Sequence, residues 1–269
     1  MILLNFLSYG FIQRAYLAGS FIAILCAMLG LFLVLRKLSL IGDGLSHVSF
    51  GAIALGLFFG IYPFYVAIPV VLLASFLIVW LSEKAKIYGD AAIGIVSSIG
   101  IASGGILASV SKGFNVDLFS YLFGNILSIS RSEVVSSIVL SILVLLVIWF
   151  FYQDLFSATF DEAFAKATGI KTNLVNIILT SLTAITVVLA IKVVGIMLVS
   201  ALLILPAVSA LQISKSFKSA LSTSILFAVV SVLIGITASF FLDIPAGATI
   251  VMVNFLIFSL SFFGKTILK

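Results

Sequence analysis

Charge is what this chain lacks most. Only 9% of its 269 residues are charged and 63% are hydrophobic, where a soluble domain carries about 25% charged residues. That balance excludes a soluble enzyme or binding module and predicts an all-α, polytopic membrane protein. Cysteine occurs once. Cys26 therefore has no partner for an internal disulfide, and Ala23-Ile24-Leu25 before it lack the small residues of a lipid-attachment site, so it reads as a packing residue. Histidine also occurs once, which removes the HExxH pair that an intramembrane zinc protease needs. The first residues carry no basic n-region of a cleaved signal. No G-x-x-x-x-G-K-[ST] pattern occurs, so a phosphate-binding loop is absent and any ATP must be hydrolysed on another polypeptide.

Against that background ten residues stand out, Ile41-Gly42-Asp43-Gly44-Leu45-Ser46-His47-Val48-Ser49-Phe50. They hold the only histidine, with an aspartate four positions before it. On a helix that spacing stacks carboxylate and imidazole on one face. From Leu38 to Leu81 no other acidic or basic residue occurs. A carboxylate at the bilayer centre costs about 2.5–3.5 kcal/mol, which argues for function rather than accident. Asp oxygen and His nitrogen are both ligands for divalent transition metals. Two ligands do not close a structural site, but they suit one that binds and releases.

Apolar runs long enough to cross a bilayer, about 20 residues each, recur at 15–35, 91–111, 134–153, 172–191, 193–214, 219–242 and 244–264. The run 44–82 is too long for one span and is read as two, divided near Gly60, Pro63 and Pro69. This makes about nine spans in one domain, 1–269. With Lys265 and Lys269 placed inside, Arg36, Lys37, Lys84, Lys86, Lys166, Lys171, Lys215 and Lys218 fall inside too. Arg14, Lys112, Arg131 and Lys192 remain outside. Ten basic residues against four follow the positive-inside bias, so the net charge of +5 reflects orientation rather than nucleic-acid binding.

The second span is odd. From Ser46 to Gly60 it is too short, and starting it at Leu38 carries Asp43 and His47 below the membrane surface. Gly42 and Gly44 would allow a broken turn there, as at ion sites of transporters. Gly100 and Gly104 form a GxxxG step for close helix packing. Pro206 should kink the seventh span, where Ser200 and Ser209 either line a path or bond back to the helix. Between spans, about 154–171, the stretch from Thr159 to Gly169 reads as a short cytoplasmic helix. Thr159 would cap it, Glu162 stands three residues on, and Gly169 would stop it. Phe160, Ala163, Phe164 and Ala167 fall on one face, and an exposed apolar face between spans should dock on a partner.

Three of these stretches resemble a known family, the permease subunits of bacterial ABC importers for zinc, manganese and iron. They are Leu35 to His47, with its basic pair and D-x-x-x-H; the helix from Asp161-Glu162 to Gly169; and Val194-Gly195-Ile196-Met197-Leu198-Val199-Ser200-Ala201-Leu202-Leu203-Ile204-Leu205-Pro206-Ala207. The resemblance implies that Asp43 and His47 coordinate metal in the translocation path, with Ser46, Ser200 and Pro206 as candidate lining. It implies that Phe160, Asp161, Glu162, Phe164 and Gly169 belong to the element that couples to the ATPase. The opening Leu7-Ser8-Tyr9-Gly10-Phe11-Ile12-Gln13-Arg14-Ala15 looks closest to the zinc-type members. The implied assembly is two copies of this chain in the cytoplasmic membrane, two ABC ATPase subunits and an extracytoplasmic metal-binding protein. No resident cofactor is expected, because the metal is the cargo. The alternative, an ion-coupled secondary metal transporter, needs further membrane carboxylates. None besides Asp43 falls inside a span; Asp243 sits at an outer turn.

Overall fold

The computed structural model describes residues 8–111, 118–125 and 129–267. Leu7, Lys112 and Lys269, used above for resemblance and orientation, lie outside them. Every regular element among the described residues is an α-helix. In chain order these are α1 (Gly10–Leu35), α2 (Ile41–Phe58), α3 (Pro63–Glu83), α4 (Gly89–Val110), α5 (Leu118–Phe123) and α6 (Arg131–Phe150). They continue with α7 (Tyr152–Phe160), α8 (Glu162–Ala167), α9 (Thr172–Val194), α10 (Val199–Ile213), α11 (Phe217–Leu242) and α12 (Ala246–Ile267). Eight of them, α1 to α4, α6, α9, α11 and α12, are long and apolar enough to cross a membrane. The ninth expected span corresponds to the shorter α10.

Burial sorts the bundle into a centre and a ring. Of the most apolar stretch in α1, α2 and α9, 67% is buried, against 28% to 33% in the other five long helices. Those five turn Leu73, Trp80, Ile99, Leu146, Leu226 and Phe255 outward, which lipid can cover at no cost. Hydroxyls inside the bundle bond mostly to their own helix. Ser49, Thr183 and Ser209 donate to the carbonyls of Leu45, Leu179 and Leu205, four residues back, so these three donors are not left bare in an apolar medium.

Three boundaries differ from the sequence expectation, each for a local reason. The seventh span does not start near Val193. Helix α9 continues to Val194, and Gly195, at φ +90, turns the chain out of it. The N–H groups of Ile196 and Met197 then donate to the carbonyls of Tyr121 and Leu122 in α5, leaving α10 only 15 residues. The division of 44–82 falls near Gly60, at φ +66, and Pro63, as expected, but Pro69 does not mark it and stays inside α3. The third concerns α2. It is continuous from Ile41 to Phe58, not broken at Gly42 or Gly44.

At the end of the bundle where α6 begins, Ser130 and Glu133 form a reciprocal capping box. The Glu133 carboxylate also takes the hydroxyl of Tyr62 and the ammonium of Lys192, the latter at 2.9 Å. Lys192 stands 5.3 Å above the Tyr121 ring. One carboxylate thus ties α5, α6, α9 and the α2–α3 turn together.

Candidate metal centre

The site begins with how α1 ends. Arg36 closes the helix, Lys37 takes the left-handed conformation at φ 59, and Leu38 N–H reaches back to the Leu33 carbonyl at 2.8 Å. This is a Schellman turn with lysine where glycine is usual. It reverses the chain within a few residues and launches α2 at Ile41.

Glycines then decide how deeply α2 sinks. A Cβ on Gly42 would lie 2.5 Å from Leu203 Cδ1 in α10, and one on Gly44 would lie 2.5 Å from Ile93 Cγ2 in α4. The two residues flanking Asp43 are therefore glycine because neighbouring helices press against them, and the helix needs no break. Gly30 meets the same Leu203 from α1, five residues before the end of that helix, or about 8 Å at 1.5 Å per residue. Asp43 lies at this level, below the helix ends.

Asp43 and His47 come together as the spacing predicts. Asp43 Oδ2 lies 3.5 Å from His47 Nε2, with the Asp43 side chain 48% exposed and that of His47 21%. The other carboxylate oxygen accepts from the Ser200 hydroxyl at 3.5 Å. Both distances exceed those of tight hydrogen bonds, so the lone pairs remain available to a ligand. Asp43 also sits in the first turn of α2, beside N–H groups that no side chain caps, where the helix dipole favours an anion. Among the described residues no group of three or more His, Cys, Asp or Glu side chains gathers to hold a metal. Asp43 and His47 are thus the two candidate ligands that one copy brings together here.

The other candidate lining residues divide. Ser200 is half-buried and turned to Asp43. Ser46 is fully buried, its hydroxyl on the Asp43 carbonyl at 2.8 Å. Pro206 is buried inside α10, and neither is placed to line an open path within this chain.

The segment expected to face the cytoplasm is two helices rather than one. Thr159 is not the cap, because its hydroxyl donates to the Leu155 carbonyl within α7. Asp161 is the cap instead: its backbone is extended and its carboxylate accepts from Phe164 N–H at 2.9 Å. Gly169, at φ +91, stops α8 as expected, with Ile170 N–H returning to the Ala165 carbonyl. Ala165 is buried against the bundle while Phe160 and Phe164 are 58% and 62% exposed. Beneath them runs an aromatic stack that the sequence did not reveal. Phe160 packs on Phe156 and Phe217, and Phe217 on Phe32 of α1. The Lys166 ammonium, 2.8 Å from Glu162, holds the Glu162 carboxyl below the usual range against partial burial, with help from Arg36.

A second feature invisible in the sequence joins three distant residues. Arg36 donates to Asn176 Oδ1 at 2.5 Å, and Asn176 donates to Glu83 Oε1 at 2.9 Å. Burial weakens the proton affinity of the Arg36 guanidinium, and the charges of Glu162 and Glu83 oppose that loss.

The comparisons with known proteins agree with this architecture. The model of the ABC 3 transport family matches residues 8–265. The chain belongs to that family. A manganese transport system membrane protein, MntC, of Halalkalibacterium halodurans is 34% identical over 96% of this chain and 88% of its own length. The high-affinity zinc uptake system membrane protein ZnuB of Haemophilus influenzae is 31% identical over 93% of this chain and 96% of its own. Among solved structures, PsaBC from Streptococcus pneumoniae in complex with Fab matches with a TM-score of 0.87 at 34% identity, covering 98% of this chain and 96% of that one. This member of the family is a multi-pass permease of the cytoplasmic membrane, part of a metal ABC importer. It is a transport subunit and not an enzyme, and ATP hydrolysis belongs to a separate subunit. The ion-coupled alternative finds no support.

Proposed function

We propose that two copies of this permease form a pore in which Asp43 and His47 of each copy offer two carboxylates and two imidazoles to one divalent metal ion. The observation that supports this reading is the open pair itself: two metal-type side chains one turn apart, Asp43 about half exposed and His47 partly so, in the first two turns of an unbroken helix. Four such ligands, or a subset with water, suit a divalent first-row ion and leave it exchangeable. The cation would in turn offset the cost of holding Asp43 ionised at this depth. Two ATPase subunits would dock on the Phe160–Phe164 face, and an extracytoplasmic metal-binding protein would deliver the ion. ATP binding would then swing the halves between outward and inward openings.

Zinc is the cargo we assign first, because the segment 7–15 resembles the zinc-type members. Manganese is the second reading, supported by the likeness to MntC. The test is uptake into proteoliposomes holding the complete complex, with ATP and equal zinc, manganese and iron, read by mass spectrometry. We expect zinc to dominate and Asp43→Ala to abolish uptake of every metal. Dominant manganese uptake would overturn the zinc assignment alone; full uptake by Asp43→Ala would overturn the site.

A further inference from the structure

The turn between α1 and α2 does more than reverse the chain, because its first residue lies in a cavity shared with the cytoplasmic helix. The cavity, of about 420 Å³, is lined by Leu38, Ile41, Ser82, Glu83, Glu162 and Asn176 with Arg36 among them. Among the elements that meet there are the end of α1, the end of α3, the start of α8 and the start of α9. Arg36 reaches Asn176, and Asn176 reaches Glu83, while Glu162 brings a second carboxylate from α8. The guanidinium is not saturated, since its Nη1 is buried without a hydrogen-bond partner. A buried, unmatched charged donor is costly, so this arrangement favours closing on another acceptor when the walls move. The walls also have space to move into.

We infer that Arg36 is a positioning residue, the pin of a polar relay through which the cytoplasmic helix α8 sets the position of Asp43 and His47. The path is short and stiff. Arg36 is followed by the Schellman turn at Lys37, α2 begins at Ile41, and Asp43 stands in its first turn. Because α2 is an unbroken helix wedged between Leu203 and Ile93, a shift of the turn carries the metal pair as a rigid body. The two faces of the cytoplasmic segment then divide the work. Phe164 and the open side of Phe160 remain exposed for the ATPase, and Glu162 shares the cavity with Arg36. Lys37 fits the same picture, because a non-glycine residue at φ 59 holds the turn in a conformation that side-chain-bearing residues seldom adopt.

This inference rests on the proposed metal site, and its test separates the two. The complete complex carrying Arg36→Gln, Glu162→Gln or both is compared with the native one in three measurements. They are metal bound by the isolated permease in detergent, ATP hydrolysed by the complex, and ions imported per ATP. The relay predicts normal metal binding and retained hydrolysis, with ions per ATP falling about tenfold in each single variant. The double variant should be no worse than the singles, because both cut one connection. Arg36→Lys should recover part of the ratio, since it keeps the charge while losing the planar fork. Normal ions per ATP in Arg36→Gln would overturn the relay and leave the metal site standing. Loss of metal binding in Arg36→Gln would also overturn it, showing that Arg36 only supports the local structure. If Arg36→Gln fails to assemble, Glu162→Gln decides alone, and an unchanged ratio there rejects the relay.

Discussion

Gly100 of α4 lies so close to Val48 of α2 that a Cβ in place of its hydrogen would stand 2.6 Å from the Val48 Cα and 2.9 Å from the His47 carbonyl oxygen. The helix bearing Asp43 and His47 is thus held by backbone contact with α4, and Gly51 and Gly104 extend that contact toward the C-terminal ends of both helices. Van der Waals packing of this kind, rather than a hydrophobic force, associates helices in lipid.

Adding side chains along this seam should separate the helices. Gly100→Val is expected to cost about 1–3 kcal/mol or more by overpacking, seen as a lower apparent melting temperature in detergent. Gly105, five residues on, meets nothing within 4 Å, so Gly105→Ala should melt as the native chain does. Equal melting of all three would show that the seam is loose.

The Glu133 carboxylate offers a second check. Glu133 is only 12% exposed in its side chain and depends on Lys192 for its counter-charge. Lys192→Met should destabilise the chain by about 1–3 kcal/mol, because a partly buried carboxylate loses its charged donor. Adding Glu133→Gln should restore part of that loss, since an uncharged amide needs no counter-ion. A double variant less stable than Lys192→Met would contradict this account.

Docking should divide Phe164 from Phe160. Phe164 is exposed and sits on α8, whereas Phe160 also packs on Phe156 and Phe217. Phe164→Ser is expected to weaken ATPase capture about tenfold at unchanged melting temperature, whereas Phe160→Ser should lower both. Undiminished capture by both variants would remove this face from the interface.

The pH dependence separates the cytoplasmic helix from the site. The Glu162 carboxyl is depressed by Lys166 and Arg36, so its contribution is complete above the ordinary glutamate value of about 4.3 and fades as pH falls through the lowered one. Between pH 7 and 5 that contribution is constant. Any loss of metal affinity in this window then comes from protons competing for imidazole nitrogen, by at most about tenfold per pH unit for each histidine. In the isolated permease, His47→Asn should bind more weakly with a flatter profile. Equal slopes would mean that His47 does not touch the ion.

What could be read from the chain follows from how local each signal is. The Asp43–His47 pair was legible because four residues on a helix fix their neighbourhood. The spans were legible because the bilayer demands long apolar runs. The start of α10 was not, since Val193 to Ile213 is one apolar run and only the contact of Gly195 with α5 divides it. The cap at Asp161 was missed because Thr159 offers an equally good capping side chain two residues earlier. Gly42 and Gly44 suggested a broken helix when they answer to Leu203 and Ile93, which no local pattern could show. Arg36, Asn176 and Glu83 stand far apart in the chain, and only the fold brings them together.

The central claim, that Asp43 and His47 hold the transported ion, is tested most directly by counting metal. The purified permease, the Asp43→Ala variant and the His47→Ala variant would each be equilibrated with zinc or manganese in detergent, desalted and analysed by mass spectrometry, with assembly checked in parallel. The account predicts metal on the native protein, and none above background on either variant, while both variants still assemble with the ATPase. Native amounts of metal on both assembled variants would contradict it.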